Sequence, residues 1–351
     1  MQHKPKSDNT AKRTTQKDLA IELGLAQSTI SMALRRHPDI PQETIEKVLN
    51  LAKTKGYKPD PYLTGLAAYR KKNASPHYTA TIAWLSVVPT IWSWRNSRIY
   101  TAYHQGACQR ASDLGYRIEE HTLDLEKDNA KSLRRILNAR KIQGILLPPL
   151  PGYDNTLEFD FSPFYAITFG YTLKSPKLNL VSHQHFKSAC VAMQELRARG
   201  YRKIAFCISD ETDRRTFHGW SAGVRSYQAQ MPKEERIPLH FTPINEETRV
   251  LEWYRAVKPD AILTQGSYVY EILTRAGISI PEEVGYAVLD AWKDTPHLSG
   301  IDQNAHLTGA RATELLVEKL NIQDVGIPEI ATQVLVEGSW IEGATLRPPS
   351  G

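Results

Sequence analysis

Cysteine is scarce: Cys108, Cys190 and Cys207 are the only three in 351 residues. Scattered and odd in number, they argue against a disulfide scaffold or a zinc module and point to a reducing, cytoplasmic setting. Long apolar runs are also missing. Nothing in the chain approaches the roughly 18 consecutive apolar residues that a membrane-spanning helix needs. The opening MQHKPKSDNTAKR is polar, without the apolar centre of a secretory leader, so none is expected. No glycine-rich phosphate loop follows the first strand-like run, which weakens a dinucleotide-binding assignment. No nucleophile elbow is expected, because the serines and histidines suggest no activated site. His183 and His185 stand two apart, a spacing that does not share a helical face, and lack a third ligand; no metal or cofactor is expected.

The composition that remains is that of an ordinary globular chain, 41% hydrophobic and 23% charged, long enough for two or three domains. Its charge is unevenly placed. Residues 1–72 hold 14 Lys+Arg against 7 Asp+Glu, while the whole chain holds 44 against 38, so the excess positive charge lies in the first fifth. A small module meeting a polyanion, joined to a near-neutral body, is one implication. A solvated basic surface would account for the charge alone equally well.

Helical grammar decides more. Thr15 suits an N-cap, Leu19, Ala20 and Leu23 share a face, and Gly24 suits a left-handed stop. A second helix follows with Ile30, Ala33 and Leu34 inward, broken at His37-Pro38-Asp39. Pro41 opens a third, with Ile45, Val48, Leu49 and Ala52 inward, ending at Lys55-Gly56. Two short helices about a glycine turn form a helix-turn-helix. Its second helix turns Gln27, Ser28, Thr29, Ser31, Arg35 and Arg36 outward, side chains suited to base edges and phosphates.

DLAIELGLAQSTISMAL and IPQETIEKVLNLAKTKGYKPDP together resemble the headpiece of the lactose-repressor (LacI) family of transcription regulators, over about residues 15–66. The resemblance implies that Gln27, Ser28 and Met32 read bases, while Thr15, Thr29, Ser31 and Arg35 position the backbone. Many members carry arginine where this chain has Met32, and a thioether cannot make arginine's paired contact to guanine. Contact with a thymine methyl is expected there instead. The resemblance also makes the segment after the third helix a hinge helix that orders on DNA, with Leu66 wedged into the minor groove and Leu63 packing the two hinges. The alternative is that both leucines fold back on the body.

Beyond His77, strand runs (79–88, 116–123, 143–150, 164–169, 203–209, 260–265, 284–290) alternate with helical patterns, predicting an α/β fold of doubly wound parallel sheets. ARGYRKIAFCIS and LSGIDQNAHLTGARATELLVEKL resemble the periplasmic-binding-protein-like core of the same family. The resemblance implies a headpiece over 1–57, a hinge over 58–76 and a core over 77–351. Within the core it implies two subdomains, about 77–178 with 305–331 and about 179–304 with 332–345. An effector, expected to be a carbohydrate, would bind between them, with Trp92, Trp94, Arg214, Arg215, Trp220, Gln265, Asp290 and Gln303 as candidate contacts. Several positions depart from the family pattern. Gln184-His185 replaces an Asp-Asn pair, Thr216 stands where a ligand-binding arginine is usual, and an acidic pair is reduced to Asp290. No leucine heptad follows Val336, so a dimer on near-palindromic operator DNA is expected rather than a tetramer. The expected function is a DNA-binding regulator, a repressor, without enzymatic activity. The alternative is a soluble sugar-binding or enzymatic α/β protein with an incidental basic module.

Overall fold

Thr15 and Asp18 start the first helix by satisfying each other. The Asp18 amide donates to Thr15 Oγ1 (3.3 Å), and the Thr15 amide and hydroxyl donate to Asp18 Oδ2 (2.8 and 2.7 Å). This capping box uses two amides that a helix N-terminus otherwise leaves unpaired. The computed structural model describes residues 14–34, 39–57, 80–88, 94–241, 246–294 and 297–349. The chain divides into two units, residues 1–77 with 319–324 and residues 78–318 with 325–351.

In the first unit lie α1 (Gln16–Leu23), α2 (Gln27–Leu34) and α3 (Gln42–Thr54). Gly24, at φ 63°, takes the left-handed cap that turns the chain from α1 into α2. Leu19, Ile30, Ala33 and Val48 are exposed by 1% or less, and Ala20, Ile45 and Ala52 complete the core. Polar contacts tie the beginning of this unit to its end: Gln16 donates to the Tyr57 hydroxyl (3.1 Å) and Thr14 to the Lys55 carbonyl (3.0 Å). The expected hinge, with Leu63 and Leu66, lies outside the described residues, as do Arg35 and Trp92.

The second unit holds two sheets. The strands of the first are β1 (Ala80–Val88), β2 (Tyr116–Asp124), β3 (Gly144–Leu147), β5 (Tyr165–Phe169), β7 (Asn179–His183) and β13 (Gln333–Val336), ordered β13-β7-β5-β3-β1-β2 and parallel throughout. The second runs β14-β12-β11-β10-β8-β9, from β8 (Ile204–Ile208), β9 (His240–Phe241), β10 (Ala261–Thr264), β11 (Gly285–Val288), β12 (Ser299–Asp302) and β14 (Ser339–Ile341). Only the β12–β14 pair in it is antiparallel. A small β4–β6 ladder (Asn155–Thr156 with Leu173–Ser175) stands apart. Ile82 to Leu85 of β1 are wholly buried, as a parallel strand covered on both faces must be.

Helices α4 (Arg98–Asp113), α5 (Ala130–Ala139) and α11 (Ala305–Ile322) accompany the first sheet. With the second come α6 (His185–Ala198), α7 (Asp210–Arg215), α8 (Gly219–Gln228), α9 (Glu247–Val257) and α10 (Tyr268–Arg275). Glycine is required where α4 meets α11: a Cβ at Gly309 would lie 1.9 Å from the Tyr103 carbonyl oxygen. Among the described residues no helix is long and apolar enough to cross a membrane.

The chain passes between the sheets three times, at 183–185, 302–305 and 336–339. Two of the expected subdomain edges therefore move. Asn179–His183 and Gln333–Val336, expected in the second subdomain, pair with each other in the first sheet. Hydrogen bonds join the crossings: the Gln184 amide donates to the Val336 carbonyl (2.8 Å), and Asn304 Nδ2 donates to the Glu337 carbonyl (2.8 Å). His183, at the first crossing, is fully buried. Burial lowers its pKa to about 4 and holds His185 well below the usual range.

Candidate functional site

On the first unit, α2 carries Gln27 and Ser28 exposed to solvent, with Thr29, Ser31 and Met32 half-buried beside them. Thr15 is exposed, but its hydroxyl is already engaged in the cap of α1. The helix thus offers an edge of polar side chains and Met32, carried on a core of seven buried side chains among the described residues.

Open α/β sheets bind ligands at the carboxyl ends of their strands. In the second unit the residues just past those ends face one another across a cleft between the two subdomains. On the first-subdomain side, Trp94 donates from its indole to Ser86 Oγ (3.0 Å) and packs on Trp84 and His104, centroids 5.5 and 4.6 Å away. The Arg95 guanidinium lies 4.5 Å over its ring and pairs with Glu120. Burial pushes the Glu120 carboxyl up, yet hydrogen bonds from Arg95, Ser86 and Trp94 outweigh it and leave the pKa below its ordinary value. Trp94 is therefore held by its own subdomain.

The opposite side reaches across. Arg215 donates to the carbonyls of Leu150 (2.9 Å) and Gly152 (2.5 Å) and to the Tyr100 hydroxyl (2.7 Å). Its neighbour Arg214 lies 5.1 Å over the Tyr153 ring while pairing with Asp210 (2.6 Å). Phe217 stacks on Tyr171, centroids 6.0 Å apart. Farther along, Arg98 lies 4.2 Å over Trp292 and pairs with Asp294, beside a groove of about 650 Å³ that also meets Gln105, Asn304 and Leu307.

A buried carboxylate fixes the turn that aims Arg215. Asp213, 2% exposed, accepts from the Ser221 amide (3.1 Å) and hydroxyl (2.7 Å), with the His218 ring 2.8 Å away. Between them Phe217 and His218 both take left-handed backbone, at φ 54° and 58°. Residues Gly219 to Gly223 do carry the Gly-x-Ser-x-Gly spacing, against the expectation of no such element. It follows a helix and a turn instead of a strand, and Ser221 is 5% exposed with its hydroxyl given to a carboxylate, so nothing activates it.

Of the remaining candidates, Asp290 and Gln265 come together past β11 and β10. Asp290 accepts from the Gly266 amide (2.7 Å) and from the Gln265 side chain. Burial pushes the Asp290 carboxyl up to about 6 against those hydrogen bonds. It lies in a tight slit with Ile99, Trp292 and Gln303. Gln303 is 7% exposed and donates to the Leu289 carbonyl (2.8 Å), bracing a crossing. Trp220 has to be corrected: it is 1% exposed and fills the second-subdomain core against His183 and His185, centroids 5.4 and 4.7 Å away. Gly219 and Gly223 let α8 press onto α6, which turns the indole inward. The expectations missed Tyr100, Tyr153, Tyr171, Phe217 and Trp292. Among the described residues no group of three or more His, Cys, Asp or Glu is placed to hold a metal ion.

Residues 193–346 match the family model of a periplasmic binding protein-like domain. The NTD biosynthesis operon regulator NtdR of Bacillus subtilis (strain 168) is 23% identical over 324 residues, covering 87% of this chain and 92% of that protein. Among solved structures, the transcriptional regulator CelR–cellobiose complex superposes with a TM-score of 0.57 at 18% identity, over 95% of this chain and 100% of that one. The lac repressor dimer bound to operator and the anti-inducer ONPF gives 0.56 at 16% identity, over 96% and 100%. At these identities the two structures speak to the fold alone.

Proposed function

We propose that this chain, a regulator of the lactose-repressor (LacI) family, is a sequence-specific DNA-binding repressor whose operator affinity is set by a carbohydrate in the cleft. It acts as a homodimer in the cytoplasm, placing two α2 helices in successive major grooves of a near-palindromic operator. Gln27, Ser28 and Met32 meet base edges; Thr15, Thr29, Ser31 and Arg35 meet the backbone; the hinge, through Leu66, opens a central base step. The cleft residues bind and orient a ligand and perform no chemistry on it.

One observation carries the regulatory part of this assignment: Arg215, on one subdomain, is satisfied by two carbonyls and a hydroxyl of the other. A polyol entering the cleft offers hydroxyls that compete for that guanidinium. Binding then changes what holds the subdomains at their present angle. A ligand with unequal affinity for the two angles shifts their populations, and with them the geometry offered to the operator.

The test is selection of binding sites from random duplex DNA by the full-length protein, followed by salt-dependent binding of the winner with and without sugars. A short palindrome with a flexible central pyrimidine–purine step, steep loss of affinity with salt and a sugar-dependent shift are expected. Recovery of no palindrome, together with no response to any sugar, would favour a sugar-binding protein or enzyme whose basic module is incidental.

A further inference from the structure

Phe217 is the most conspicuous side chain that the regulator assignment leaves unused. It is 77% exposed, and its backbone sits in the left-handed region at φ 54°. For a bulky residue that conformation is an outlier, and it persists only where the surroundings impose it. Here they do. Asp213 grips His218 and Ser221 on the far side of the turn, and the Phe217 and His218 amides donate to the carbonyls of Arg214 (3.0 Å) and Asp213 (2.8 Å). Glycine would take this position without strain. An exposed ring held in that conformation points to a use for the ring itself.

Its surroundings indicate the use. Phe217 stacks on Tyr171, and Tyr153, 39% exposed, stands beneath Arg214. Both aromatic contacts flank Arg215, whose hydrogen bonds define the inner, polar part of the cleft. The outer part thus offers ring faces and the inner part offers hydrogen bonds. A pyranose needs both: its hydroxyls require partners, while the face carrying its axial C–H groups is apolar and packs on an aromatic ring.

Building on the carbohydrate assignment above, we propose that Phe217, Tyr171 and Tyr153 form an outer subsite that stacks on a second pyranose ring. The effector is then a di- or oligosaccharide, its first ring held by Arg215 and its second by the aromatic lip. Phe217 is the specificity-determining residue that separates such ligands from monosaccharides.

The test is calorimetric titration of the full-length protein and its F217A, F217G and F217W variants. The probes are glucose and galactose, then maltose, cellobiose, lactose and melibiose. In the unmodified protein at least one disaccharide should bind about tenfold more tightly than its component monosaccharide, the worth of one apolar ring face removed from water. F217A and F217G should bring the two to within about twofold, with the larger loss falling on the disaccharide, and F217W should keep the difference, as expected of an aromatic platform. Folding is controlled by F217G, whose Tm should equal or exceed that of the unmodified protein because glycine suits a positive φ. Disaccharides binding no more tightly than monosaccharides, or F217A weakening both alike, would overturn the outer subsite and leave the carbohydrate cleft standing. If no sugar of either size binds, the cleft assignment fails and the subsite fails with it.

Discussion

The two walls of the cleft are built on different plans. On the first-subdomain wall, Trp94, Ser86, Arg95 and Glu120 satisfy one another, all within one sheet and the helix turn beside it. On the second-subdomain wall, Arg214, Arg215 and Phe217 each reach the other subdomain, although Arg214 also pairs with Asp210 of its own. A self-satisfied wall keeps its shape whatever the angle between subdomains. A wall whose hydrogen bonds cross the gap reports that angle, and a ligand that takes over those bonds changes it. The difference separates a platform from a jaw.

The jaw should therefore be the more sensitive side, and Arg215→Ala its most damaging change. The substitution removes the guanidinium for which sugar hydroxyls would compete, and a hydrogen bond to a charged group is worth about 1.5–3 kcal/mol. Water reaches part of this site, so the expected net loss is about 2–3 kcal/mol, read as a roughly 30- to 150-fold weaker sugar affinity and loss of the sugar-dependent shift in operator binding. Operator affinity without sugar should shift as well, because the same bonds hold the subdomains at their present angle. Unchanged sugar affinity in a folded Arg215→Ala protein would mean that the cross-cleft bonds are incidental.

Asp213→Ala comes next and separates aiming from contact. Asp213 touches no part of the other subdomain in the contacts described, yet it holds His218 and Ser221. Its loss leaves the buried Ser221 amide without an acceptor and the Ser221 hydroxyl with only the His218 carbonyl (3.3 Å), which costs about 1–3 kcal/mol of stability. Sugar affinity should fall by a smaller factor than in Arg215→Ala. Equal affinity losses in both, with an unshifted Tm in Asp213→Ala, would make Asp213 a direct ligand instead.

The same contrast explains how much the amino-acid sequence discloses. Thr15, Asp18 and Gly24 act within a few residues of themselves, so the helix-turn-helix is legible from spacing. The buried runs at 80–88, 144–147, 165–169 and 204–208 are equally plain, because a covered parallel strand is apolar on both faces. Asn179–His183 and Gln333–Val336 were misplaced because their partners lie far away in the chain, and nothing in NLVSH or QVLV says which sheet they join. The cleft is harder still. Arg215 is recognisable by type, but its aim depends on two left-handed residues that have no local sequence signal. Trp220 illustrates the converse: an aromatic beside Gly219 suggests a ligand wall until the packing of α8 on α6 turns it inward.

A smaller effect is expected at Asp290, where the sign follows from its raised pKa. Its ordinary value is 3.8, and in the folded chain it is about 6. A carboxyl with a raised folded-state pKa favours the folded state most below pH 3.8, and that contribution is lost as pH rises through about 6. Asp290→Asn escapes the loss and keeps an oxygen to accept from the Gly266 amide. The Tm of the variant relative to the unmodified protein should therefore climb between about pH 4 and pH 6 and level off above pH 7. A difference that stays flat across that range would show that the carboxyl titrates normally.

The least effect belongs to the platform. Trp94→Phe removes the indole donor to Ser86 but keeps a ring against Trp84 and His104. Ser86 still donates to Glu120 (3.0 Å), and Arg95 still pairs with that carboxylate. Trp94 is half-buried, so water can replace part of what is lost, and the cost should fall near the lower end of a neutral hydrogen bond, about 0.5 kcal/mol. Sugar affinity should stay within about twofold, since by this account Trp94 supports the wall without gripping the ligand. A tenfold loss of sugar affinity at unchanged Tm would place the indole in direct contact with the ligand. The self-satisfied wall would then be a binding surface in its own right, and the division between platform and jaw would fail.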